Sequence, residues 1–113
     1  MTTLRRTETR RSQRLADLLL RELEDILSRE FGDPRMEQAT LTGVRLNPDL
    51  TLAEVLYSVR EAERRDEVQK ALDRAAALIR RKVASRLTLK HMPELRFVHD
   101  DFLEDMVYGH PAE

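Results

Sequence analysis

Three histidines and their acidic neighbours form the grouping in this sequence closest to a catalytic or metal site. His99-Asp100-Asp101 sets an imidazole beside two carboxylates, with His91 before it and His110 after it. Such a set suits acid–base work or a metal ion. The plainer reading is that His99 ends an alternating stretch, and adjacent aspartates are ordinary at strand exits and helix N-caps. No Ser/His/Asp spacing, Gly-rich phosphate loop or His-x-x-x-His pair accompanies them. The absence of cysteine removes thiol catalysis, disulfides, cysteine zinc sites and iron–sulfur clusters, and permits a reducing cytosol. The expectation is a cytoplasmic protein that is not an enzyme and carries neither metal nor cofactor.

Phosphate binding is the other chemistry on offer, and its signal is stronger. The formal net charge of −1 conceals segregation: residues 1–14 carry net +4, residues 15–73 net −6, residues 74–90 net +6 and residues 91–113 net −5. Arg74, Arg80, Arg81, Lys82, Arg86 and Lys90 occur in seventeen residues without one acid, where a solvated helix normally mixes signs. Arg5, Arg6, Arg10, Arg11 and Arg14 form a second cluster. Both suit contact with nucleic-acid phosphates. A competing reading has the later cluster balancing Glu22, Glu24 and Asp25 of the first helix inside the same fold. With two Tyr, three Phe and no Trp, and with Tyr57, Phe31 and Phe97 assigned to the core, few aromatics remain to stack on bases. Phosphate and shape should dominate over sequence reading.

At 113 residues the chain has the length of one domain, 36% charged and 41% apolar. The reading is a single domain over 1–113, with a basic arm 1–11 and an acidic tail 100–113. No apolar run approaches the ~20 residues of a membrane span. The Arg- and Thr-rich opening is similar to a mitochondrial transit peptide but is read as a helix-leading arm.

The elements follow from periodicity. Leu15, Leu18, Leu19, Leu23, Ile26, Leu27 and Phe31 trace one helical stripe, so a helix is predicted from Ser12, as N-cap, to Glu30, stopped by Gly32-Asp33-Pro34. Thr42, Val44 and Leu46 alternate with Gly43 and Arg45 as a strand, and Asn47-Pro48-Asp49 turns into a second strand on which Ala53, Val55, Tyr57 and Val59 share a face. Val68, Leu72, Ile79, Val83 and Leu87 restore a helical period. On that helix Arg74 and Arg81 point outward, Arg80 and Lys82 flank the stripe, and Arg86 and Lys90 lie near it and must snorkel. Replacing Arg80, Arg81 and Lys82 together with Glu should therefore spare the fold. Leu95, Phe97 and His99 form a third strand. An α+β layer of three strands with helices on one face results.

Several short motifs in this order carry a family resemblance. They are Arg10-Arg11 before the first helix, Asp33-Pro34-Arg35 after it, Asn47-Pro48-Asp49-Leu50 with Ala53-Glu54-Val55 across the hairpin, Ile79-Arg80 in the long helix, and Pro93-Glu94-Leu95-Arg96-Phe97 with Asp100. The chain resembles the ribosome-binding factor A family over residues 5–105. The resemblance implies a type II KH-like fold, α-β-β-α-α-β, and monomeric, non-catalytic binding to the small ribosomal subunit and its 16S rRNA during late maturation, including precursor processing. No membrane partner and no small-molecule substrate are expected. The family carries an Ala-x-Gly kink between its paired helices; the matching triplet here is Ala75-Ala76-Ala77, and alanine for glycine favours a more continuous helix. The alternative class is an interaction module self-associating through acidic and basic faces without RNA.

Overall fold

The computed structural model describes residues 10–101. Arg5, Arg6, His110 and the tail beyond Asp101 lie outside the described residues.

Helix α1 (Arg10–Arg29) buries Leu19, Leu23, Ile26 and Leu27, the stripe expected from the spacing. The helix already includes Arg10 and Arg11, so Ser12 is not the N-cap but a buried helical residue; Arg10 and Arg11 are themselves good helix formers. Asp33 does more than stop the chain. Its Oδ1 accepts from the Arg35 amide at 3.0 Å and caps a short helix α2 (Pro34–Glu37), with Pro34 in the position where its missing N–H costs nothing. No periodicity in the sequence marks that helix. Met36 of α2 joins the core.

Strands β1 (Ala39–Leu46), β2 (Leu52–Val59) and β3 (Glu94–His99) form one sheet in the order β1-β2-β3, antiparallel between the first two and parallel between β2 and β3. A bulge between Leu41 and Gly43 leaves Thr42 unpaired. It corrects the expected phase of β1: Leu41, not Thr42, is buried along with Leu46, because the extra residue lets side chains five apart share a face. Thr42 is exposed and donates to Asp100 Oδ2 at 2.9 Å. The inward face continues through Ala53, Val55, Tyr57, Leu95 and Phe97.

Between β2 and β3 a 3-10 turn (Ala62–Arg64) leads into helix α3 (Arg65–Arg86), whose buried residues are Val68, Ala71, Leu72, Ile79 and Val83. The two helices implied for this stretch run as one, uninterrupted through Ala75-Ala76-Ala77, as expected where alanine replaces a glycine that weakens a helix by about 1 kcal/mol. The Tyr57 hydroxyl donates to Gln69 Oε1, and Gln69 Nε2 donates to the Phe97 carbonyl at 2.9 Å, fixing α3 to β2 and β3. Burial pushes the Tyr57 phenol up to about 12.

The β1–β2 turn is built on Asn47, whose Oδ1 accepts from the amides of Thr51 and Leu52, each at 2.9 Å. Leu50 within it has φ of 60°, the left-handed region that costs a side-chain-bearing residue roughly 1–2 kcal/mol. Among the described residues no helix is long and apolar enough to cross a membrane.

Candidate nucleic-acid interface

The six cations of residues 74–90 divide into two groups once folded. Arg86 lies against α1, with Nη1 3.1 Å from Glu22 and 2.8 Å from Asp25, and Nη2 2.5 Å from Glu30. Lys82 Nζ is 2.8 Å from Glu30. The Arg86 guanidinium holds the Asp25 carboxyl below the usual range, helped by Arg29. Lys82 and then Arg86 do the same for Glu30. For these two cations the reading of charge balance inside the fold applies, and Arg86 does snorkel, with 28% of its side chain exposed. Arg80 is also committed, and not as a loose flank residue: Nε donates to the Pro93 carbonyl at 3.0 Å and Nη2 to the Met92 carbonyl at 2.6 Å. It fastens α3 to the entry of β3.

Arg74, Arg81 and Lys90 remain exposed with no partner among the described residues, and the same holds for Arg10, Arg11 and Arg14. Arg74 and Arg81 sit two turns apart, about 10 Å along the axis, with exposed Leu78 between them. The first turn of α1 contains no acid. Arg11, Arg14 and Lys90 belong to two clusters in the sequence, yet the fold brings them to one groove beside the β1–β2 turn. Nothing in the local spacing predicts that meeting; it arises from how α1 packs against the chain leaving α3.

The alanine triplet lies elsewhere. Ala76 and Ala77 line a cavity of about 450 Å³ with Asp73, Glu94, Leu95 and Arg80. Its cation is held by carbonyls and its other charges are acidic, a poor setting for phosphate.

Among the described residues the histidines are not brought together. His99 has only 7% of its side chain exposed, meets Tyr57 edge-on at a centroid distance of 5.5 Å, and places Nδ1 2.9 Å from Asp101 Oδ1. That contact, with Arg65 3.0 Å from the same carboxylate, holds the Asp101 acid below its ordinary range. His91 precedes β3 and His99 ends it, so the strand separates them.

A three-stranded sheet with one parallel crossover and helices over one face, free of any Gly-x-x-Gly loop, defines a type II KH-like domain. The relatives agree with that class. Residues 11–109 match the family "Ribosome-binding factor A". The ribosome-binding factor A of Coxiella burnetii is 40% identical over 96 residues, covering 85% of this chain and 81% of its own. The chain therefore belongs to the ribosome-binding factor A family. The crystal structure of the Thermus thermophilus ribosome-binding factor A superposes with a TM-score of 0.67 at 29% identity, covering 78% of this chain and 94% of that one. A second Thermus thermophilus structure, a homology model fitted into a cryo-EM map of a 30S complex, matches in fold with a TM-score of 0.60 at 23% identity, covering 93% of this chain and all of that one.

Proposed function

We propose that this protein is a non-catalytic assembly factor that binds the small ribosomal subunit late in its maturation, gripping 16S rRNA phosphates. The observation that carries the reading is the split among its cations. Arg80, Lys82 and Arg86 are spent inside the fold, while Arg10, Arg11, Arg14, Arg74, Arg81 and Lys90 are exposed and unpaired among the described residues. Arg5 and Arg6 extend the same basic arm in sequence. Membership of a family named for ribosome binding supports the partner, as does the relative placed in a 30S complex.

Phosphate contact favours one rRNA conformation only if that conformation is bound more tightly than its competitors. In this account the protein acts as a monomer in the cytoplasm, holding one state of the RNA while precursor processing completes. The acidic remainder of the surface repels RNA presented in other orientations.

The test is binding to purified small subunits as salt is raised. With about six phosphates neutralised, log K falls against log salt with a slope near −4 to −5. Arg74→Glu with Arg81→Glu weakens binding and flattens that slope. A mass that rises with protein concentration and is indifferent to ribonuclease would instead support self-association.

A further inference from the structure

We infer that the groove between the start of α1, the β1–β2 turn and the segment after α3 is a pocket for one unpaired nucleotide of the bound RNA. This rests on the RNA reading above and adds to it a base-sized site distinct from the outward phosphate contacts of Arg74 and Arg81. The groove has a volume of about 530 Å³, within the usual range for small-ligand pockets. Its floor is aliphatic, made by Leu15 and Leu18 of α1, Leu50 of the turn and Leu89. Its lip is cationic: Arg11, Arg14 and Lys90 border it, with no partner among the described residues. A flat apolar ring joined to a single phosphate matches a greasy floor beside a positive lip.

Two further features point the same way. Leu50 is the one described residue other than glycine with positive φ, at a turn position where Gly or Asn fits without strain. A leucine held there at a conformational cost presents an apolar side chain to the groove, which is what glycine would not supply. Strain of this kind is concentrated where a protein binds something. Asp49 also lines the groove, and its carboxylate is suited to accept from an exocyclic base amine. An acidic peptide with apolar anchors would share the charge match but offers Asp49 no exocyclic base amine.

The test uses the full chain and two RNA hairpins that differ by a single bulged 2-aminopurine, followed by binding and by the fluorescence of that base. The wild type is expected to prefer the bulged hairpin by about tenfold, the effect of removing roughly 55 Å² of apolar ring surface from water against aliphatic side chains, with a change in 2-aminopurine emission. Leu50→Asn, which tolerates positive φ, should bring the ratio of the two affinities toward one; a melting curve checks that it folds. Should Leu50→Asn misfold, Leu89→Asn provides the same readout outside a helix or strand. Equal binding of both hairpins by the wild type would overturn the pocket while leaving RNA binding standing, whereas binding of neither would remove the RNA reading itself. Tighter binding of an acidic leucine-containing peptide than of the bulged hairpin, lost in Leu50→Asn, would assign the groove to a protein and also overturn the proposal.

Discussion

Arg80 Nε lies 3.0 Å from the carbonyl oxygen of Pro93, and the same guanidinium reaches the carbonyl of Met92. A residue in the middle of the most basic stretch of the chain thus ties a helix to a strand. Pro93 is fully buried, so its carbonyl has few other donors within reach. Arg80→Glu should cost about 1–3 kcal/mol of stability through lost charge-assisted bonds and an unpaired carbonyl. Urea unfolding of the single variant measures it. A triple change of Arg80, Arg81 and Lys82 to Glu should therefore destabilise the fold rather than spare it, and an unchanged unfolding midpoint for Arg80→Glu would contradict this role.

Arg74→Glu with Arg81→Glu is the clean test of the outward face. Both side chains are exposed and unpaired among the described residues, so the thermal midpoint should stay where it is. Affinity for the small subunit should fall, and the salt slope should lose about one unit for each phosphate contact removed. Retained affinity with a normal melt would move the RNA contact away from α3.

Acid should unfold this protein through a defined set of carboxyls. Asp25, Glu30, Asp33 and Asp101 are held below the ordinary range, in turn chiefly by Arg86, Lys82, Arg35 and His99. The unfolded chain, with ordinary values of about 4, binds protons before the folded one does. Their stabilisation is therefore present above that value and is lost as pH falls through the folded values. Denaturant midpoints measured from about pH 7 down to pH 3 should drop in the acid limb. Arg86→Gln should lower the neutral-pH midpoint and make the acid limb shallower, because Asp25 then titrates closer to its ordinary value. An acid limb equally steep in that variant would place the coupling elsewhere.

Ala77→Gly should lower stability by about 1 kcal/mol, since the residue is exposed in the middle of an unbroken helix and little packing is altered. Chemical denaturation supplies the number, and a gain in stability would show that the helix is strained at the alanine triplet.

Periodic elements were legible in the sequence because burial imposes the period directly. The stripe of α1, the alternation of β2 and the turn at Asn47 all lie where the spacing puts them. What escaped depends on contacts distant in sequence or on a single inserted residue. The bulge at Thr42 reversed one position of β1, since no local signal marks a residue left out of the ladder. Helix α2 was hidden because Asp33-Pro34 reads equally well as a stop or as a cap followed by the first helical residue. For the interface, the residue types were visible but their uses were not. Glu30 takes up Lys82 and Arg86 across more than fifty residues, and Arg80 turns to carbonyls that a charge count does not register. Conversely, the approach of Lys90 to Arg11 and Arg14 joins two clusters that the sequence keeps apart.

Co-sedimentation with purified small ribosomal subunits, with large subunits as control and across a salt series, tests the account most directly. Selective binding to small subunits that weakens steeply with salt, and that is diminished in Arg74→Glu with Arg81→Glu, is the predicted result. Equal binding to both subunits, or binding indifferent to salt, would contradict it.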